Sequence, residues 1–228
     1  MILSINPKQL FIALDSSDAD AALSLAKTLA PTGVSLKLGL EFYSRYGGAG
    51  LAPFCALKMP IFLDLKLHDI PNTVAAAVRN VAALGVQYLT VHAGGGSAML
   101  RAAVEAAGSN VKILAVTILT SLDSNALKEI GYSGTPDQAV LRLALLAAES
   151  GCAGIVCSPQ EVAAVRAVHG QRLSYITPGI RPLGSDTGDQ RRTATPQQAI
   201  SAGADFLVIG RPVTGAENPA QAIKNLLN

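Results

Sequence analysis

In the stretch Ile61-Phe-Leu-Asp-Leu-Lys-Leu-His-Asp69, every second residue from Ile61 to Leu67 is a large aliphatic. Successive side chains of an extended chain point to opposite faces, so Ile61, Leu63, Leu65 and Leu67 share one face and Phe62, Asp64 and Lys66 the other. Two earlier stretches repeat the arrangement. Leu36, Leu38 and Leu40 oppose Ser35, Lys37 and Gly39, while Ile12 and Leu14 oppose Ala13 and Asp15. The aliphatic faces suit packing against helices. Asp15, Lys37, Asp64 and Lys66 are left on the inner side, near the carboxyl ends of three consecutive strands.

The remaining chain extends this pattern. Strands are predicted at 11–15, 35–39, 61–66, 88–93, 112–120, 154–158, 173–180 and 205–211. Ala-rich helical stretches separate them at 18–30, 41–57, 71–84, 97–107, 123–149 (broken near Gly131–Pro136), 160–169, 196–202 and 212–227. Eight strand–helix units without a linker predict an α/β fold, a single (β/α)8 TIM barrel occupying residues 1–228 as one domain. A doubly wound open sheet is the rival, but G-x-G-x-x-G is missing after the first strand. Thr195-Pro196 and Ser158-Pro159 each offer an N-cap followed by a first-turn proline. Gly33, Gly85, Gly108, Gly151 and Gly203 fall just past predicted helix ends, where a left-handed residue is wanted. Gly94-Gly95-Gly96 reads as a tight strand-to-helix turn capped by Ser97, with a phosphate loop as the alternative.

Composition narrows the function classes. Half the residues are hydrophobic and 15% are charged, enough apolar material for a sizeable core and incompatible with general disorder. The net charge is +2 and the longest cationic cluster is Arg191-Arg192, so no nucleic-acid partner is expected. No run approaches the ~18 apolar residues of a membrane helix. The beginning, MILSINPKQL, lacks the features of a secretory signal. Cys55, Cys152 and Cys157 show no C-x-x-C spacing, which fits reduced thiols in a cytoplasmic protein and argues against a thiolate metal site.

Four inward charges at a barrel mouth have two readings. They could form a structural ion-pair network, although burying charge is poor stabilisation because desolvation can exceed the Coulomb gain. Alternatively they form a site, since the carboxyl ends of barrel strands are where such sites are built. Asp69 lies three residues past Lys66, and a lysine between carboxylates is held charged and ready to give up a proton. His68 has no visible partner and reads as a loop-packing residue. Residues 181–193 form a long polar connection containing Arg181, Gly184, Gly188, Arg191 and Arg192. With Gly210-Arg211 at the end of the eighth strand, it suggests a phosphate site: glycine lets the backbone approach an anion, and arginine supplies a fork of donors.

The run Asp64-Leu-Lys-Leu-His-Asp-Ile-Pro-Asn-Thr73 resembles the signature of orotidine 5′-phosphate decarboxylases of the bacterial type. The likeness extends through Ala13-Leu-Asp15, Lys37-Leu-Gly39, Val116-Thr-Ile-Leu-Thr-Ser121, Thr177-Pro-Gly-Ile-Arg181, Gly188-Asp-Gln-Arg-Arg192 and Val208-Ile-Gly-Arg-Pro212. D-x-K-x-x-D alone is shared with related sugar-phosphate decarboxylases and synthases; the later segments make the likeness specific.

The resemblance implies loss of CO2 from orotidine 5′-phosphate to give uridine 5′-phosphate, the last step of de novo UMP synthesis, with no cofactor and no metal. By matched position, Lys66 is the implied proton donor, with Asp64 beside the departing carboxylate. Lys37 is implied to hold Asp64 and a ribose hydroxyl, and Asp15 the ribose region. Asp69 and Thr73 are implied to reach the neighbouring subunit's site in a homodimer with shared active sites. Thr120 and Pro178 would contact the pyrimidine, Gln190, Gly210 and Arg211 the phosphate, and Arg181 the base of the lid. Two alternatives stay open: a metal-dependent sugar-phosphate enzyme of the same barrel, and a non-catalytic barrel that binds a phosphorylated ligand.

Overall fold

Strands with one aliphatic face and short helical returns can bury that face only by wrapping helices around a sheet. The computed structural model of the chain describes residues 5–182 and 192–227. Its strands are β1 (Leu10–Ala13), β2 (Ser35–Gly39), β3 (Ile61–Leu67), β4 (Tyr88–His92), β5 (Lys112–Val116), β6 (Gly154–Val156), β7 (Ser174–Thr177) and β8 (Phe206–Ile209). All neighbours pair in parallel and β1 also pairs with β8, which closes the sheet in chain order. The helices are α1 (Ala19–Leu29), α2 (Leu40–Tyr46), α3 (Ala52–Cys55), α4 (Pro71–Ala82), α5 (Gly96–Ala107), α6 (Ser124–Glu129), α7 (Pro136–Glu149), α8 (Val162–His169), α9 (Pro196–Ser201), α10 (Arg211–Thr214) and α11 (Pro219–Leu227). The architecture is the expected (β/α)8 barrel.

Two apolar regions hold it together. The larger lies between strands and helices and takes the outward faces, including Leu36, Leu38, Ile61, Leu63, Leu89 and Val91. The smaller fills the barrel itself with Phe11, Phe62, Leu114 and Ile176, beside Tyr88 and Phe206. Phe11 sits at its centre, with ring centroids 5.1 Å from Phe62, 5.2 Å from Tyr88 and 5.3 Å from Phe206. These rings plug the amino-terminal half. Farther along, the inward positions become small or polar (Ala13, Lys37, Asp64, Thr90), and space opens at the carboxyl end. The amino end is pinned separately: Arg166 bonds the Asp205 carboxylate at 2.6 Å and lies 4.5 Å from the Tyr175 ring centroid.

Several boundaries differ from expectation. β5 and β7 stop at Val116 and Thr177, and the residues just beyond them, Ile118 to Ser121 and Pro178-Gly179, line the mouth. The helix predicted at 41–57 breaks at Gly47, whose φ of 59° is left-handed, and the one predicted at 212–227 breaks between Thr214 and Pro219. Thr195 caps α9 as predicted, in a reciprocal box with Gln198. Ser97 does not cap α5: it lies inside the first turn, and its hydroxyl accepts from Arg101. Ser158 does not cap α8 either. Its hydroxyl accepts from the Gln160 N–H in a turn that precedes the helix. The five helix-ending glycines all adopt positive φ, as expected.

Candidate active site

A cavity of about 780 Å³ occupies the mouth at the carboxyl ends of the strands. Asp15, Lys37, Asp64 and Lys66 line it from β1 to β3, Arg181 from beyond β7, and Gly210-Arg211 from beyond β8, the strand that pairs with β1. Ile118, Val156, Pro178 and Val208 supply apolar lining, and Thr120 and Ser121 add hydroxyls. Cys157 also lines the cavity, but burial first, with the Glu161 charge, pushes its thiol up, so it serves as apolar wall rather than nucleophile.

The charges from β1 to β3 are a connected set. Lys37 Nζ lies 3.0 Å from Asp15 Oδ1 and 3.8 Å from Asp64 Oδ2, while Lys66 Nζ donates to Asp64 Oδ2 at 2.7 Å. Gly39 leaves room for the first pair, since a Cβ there would stand 3.3 Å from both Asp15 Oδ1 and Lys37 Nζ. Burial acts to raise the Asp64 carboxyl. The Lys37 and Lys66 charges, with hydrogen bonds from Lys66 and Thr90, together overcome it and hold the group below the usual carboxylate range. Asp64 is therefore ionised, and its Oδ2 is the acceptor that fixes the end of the Lys66 side chain.

Lys66 itself stands in an unusual backbone. Its φ is 51°, a left-handed conformation that costs an L-residue roughly 1–2 kcal/mol. Here β3 bulges: between Leu63 and Leu67 it advances four residues while β4 advances two, from Leu89 to Val91. The Lys66 N–H donates to Thr90 Oγ1 at 2.9 Å, and the same hydroxyl donates to Asp64 Oδ1 at 2.8 Å. Close by, the His68 and His92 rings are 5.5 Å apart; burial, then the charges of His68 and Lys66, hold His92 below the usual imidazole range.

The structure thus brings Asp15, Lys37, Asp64, Lys66, Thr120, Pro178, Arg181, Gly210 and Arg211 around one cavity. Asp69 and Thr73 stand apart. Asp69 is exposed and accepts from the Ile70 N–H at 2.6 Å, and Thr73 is exposed on the first turn of α4. The lysine held between two carboxylates is Lys37, between Asp15 and Asp64, rather than Lys66. Gln190 lies outside the described residues. Sequence reasoning missed Thr90, whose only signal was a polar residue at an inward position of an apolar strand. It also missed a buried pair behind the cavity: Glu161, 2% exposed, accepts from Arg192 and from the Ser158 N–H, and Arg192 also donates to the Leu119 carbonyl at 3.0 Å. Among the described residues, no three His, Cys, Asp or Glu side chains converge as metal ligands would, and no helix is long and apolar enough to cross a membrane.

Comparison with known proteins places this geometry among relatives. The profile of the family described as "Orotidine 5'-phosphate decarboxylase / HUMPS family" matches residues 8–226. The orotidine 5′-phosphate decarboxylase of Anaeromyxobacter dehalogenans is 52% identical over 212 residues, covering 93% of each chain. That of Thermobifida fusca is 54% identical over 212 residues, covering 92% of this chain and 91% of its own. The crystal structure of orotidine 5′-phosphate decarboxylase from Lactobacillus acidophilus superposes with a TM-score of 0.86 at 36% identity, covering 96% of this chain and 97% of that one.

Proposed function

The chain belongs to the orotidine 5′-phosphate decarboxylase / HUMPS family, and from that membership we propose that it converts orotidine 5′-phosphate to uridine 5′-phosphate and CO2, the last step of de novo UMP synthesis. The observation that carries the assignment is the ionised Asp64 with Lys66 at 2.7 Å, lining one cavity with Gly210-Arg211.

In this reading the phosphate rests on Arg211, the backbone of Gly210 and Gln190, with Arg181 nearby, while Asp15 and Lys37 take the ribose. Thr120 and Pro178 hold the pyrimidine so that its carboxylate lies beside Asp64. The bond between ring and carboxylate breaks, CO2 leaves, and the electron pair stays on the ring carbon. The Lys66 ammonium stabilises that charge as it develops and then delivers a proton to the same carbon. A fixed cation is worth most in a site lined by apolar groups, where water does not screen it. No cofactor takes part. Asp69 and Thr73, exposed and outside the cavity of their own chain, reach the site of a second copy in a homodimer, and the enzyme works in the cytoplasm.

The test is an ultraviolet assay of chelator-treated protein on orotidine 5′-phosphate, with product identified chromatographically. Wild type turns over, and Lys66→Ala loses activity by at least about 1,000-fold while still binding uridine 5′-phosphate. Near-normal activity of Lys66→Ala would remove Lys66 as donor. A folded wild type that does nothing would reject the assignment, and activity only with a divalent ion on sugar phosphates would favour the metal-dependent relatives of this barrel.

A further inference from the structure

We propose that Thr90 is a positioning residue for both catalytic groups: its hydroxyl clamps the β3 bulge that aims Lys66 and fixes the rotation of the Asp64 carboxylate. The inference rests on the functional reading above. Thr90 is fully buried, at 0% exposure, on the inward face of β4 directly opposite the bulge. A hydroxyl has one proton and two lone pairs, and both kinds of capacity are used here. The proton goes to Asp64 Oδ1, at 2.8 Å, and a lone pair accepts the Lys66 N–H, at 2.9 Å.

Each bond addresses a separate problem. The bulge takes Lys66 out of the β3–β4 ladder, so its N–H needs another acceptor, and only then does its left-handed backbone hold. The Asp64 carboxylate could otherwise turn about its terminal torsion, which has no sharp minimum. With Oδ1 occupied by Thr90, Oδ2 is left facing Lys66 at 2.7 Å and Lys37 at 3.8 Å. One side chain thereby couples the backbone of the proton donor to the orientation of its carboxylate. Valine has the shape of threonine without the hydroxyl, whereas serine keeps the hydroxyl and loses a methyl.

The experiment compares Thr90→Val, Thr90→Ala and Thr90→Ser with wild type. It reads single-turnover decarboxylation, uridine 5′-phosphate affinity and hydrogen exchange of the Lys66 amide, all on protein shown to be folded. Val and Ala are expected to slow the chemical step about 10- to 100-fold while product affinity changes less than about threefold, and Ser to stay within about threefold of wild type in both. The Lys66 amide loses protection in Val and Ala and keeps it in Ser. Equal rates in all four proteins, or a Ser variant as slow as Val, would overturn the proposal. So would failure of both Val and Ala to fold, which would make the hydroxyl a requirement of the fold. Should wild type itself not turn over, the decarboxylase reading fails, and unchanged Lys66 exchange in Val and Ala would then reject the clamp independently.

Discussion

Asp64 is ionised because two ammonium groups and two hydrogen bonds outweigh the cost of its burial, and that balance gives stability a pH dependence of known sign. A carboxylate whose folded value is depressed contributes stability that is fully present above its unfolded value, about pH 4, and is lost as pH falls through the folded value. Asp64→Asn removes this dependence. The stability of wild type relative to Asp64→Asn, measured by urea unfolding, should therefore be flat above about pH 5 and decline below about pH 4. A difference that grows on acidification would contradict the assigned sign. The charges of this set were legible in sequence, because Asp15, Lys37, Asp64 and Lys66 interrupt alternating apolar strands. The backbone that aims Lys66 was not. Leu65-Lys66-Leu67 alternates in sequence whether or not the strand bulges, and the residue that holds the bulge belongs to a strand pairing set only by the closed sheet. Thr90 is, moreover, an ordinary strand residue by composition.

Among elements, local rules succeeded where the chain's own geometry satisfies them and failed where tertiary packing replaces it. Thr195 and Gln198 exchange hydrogen bonds at the start of α9, so that end is fixed by residues adjacent in sequence. At α5 the chain enters the helix through Gly96 at φ 83°, a left-handed step that displaces Ser97 into the first turn. At α8 the Ser158 N–H is drawn to the Glu161 carboxylate at 2.9 Å, and that contact delays the helix to Val162. The contrast is measurable by urea unfolding. Thr195→Ala should cost about 1 kcal/mol, the usual value of a lost cap, whereas Ser97→Ala should stay within about 0.5 kcal/mol. Equal costs at the two positions would show that the hydroxyl of α9 is not acting as a cap. Strand and helix existence was readable from apolar periodicity throughout; strand ends were not, because β5 and β7 stop where pairing gives way to cavity wall.

For the molecule as a whole, the eight-fold alternation was enough to predict a closed barrel, and the charged strand ends to predict which end holds the site. The roles proposed for Asp69 and Thr73 in a second copy rest on sequence matches alone, because a pairing between chains would leave no periodic trace. The proposed sharing of sites between two chains makes a test that needs no further structure. Lys66→Ala and Asp69→Ala proteins, each inactive alone, should regain activity when mixed under conditions that exchange subunits, because a mixed dimer has one site with neither substitution. Recovery should approach about one quarter of wild type per chain, given random exchange and independent sites. Mixed dimers confirmed by mass and still inactive would remove Asp69 from the partner's site.

The buried Glu161–Arg192 pair has a consequence for how this barrel can change over evolutionary time. Barrels of this type diversify by exchanging the connections at one end while the scaffold stays fixed. Here Arg192 approaches from the connection after β7, Glu161 sits in the one after β6, and the Leu119 carbonyl belongs to the one after β5. Replacing the connection after β6 or after β7 strands the buried charge of the partner left behind, and replacing the one after β5 removes the carbonyl to which Arg192 donates. The three are therefore inherited, or engineered, as a single cassette.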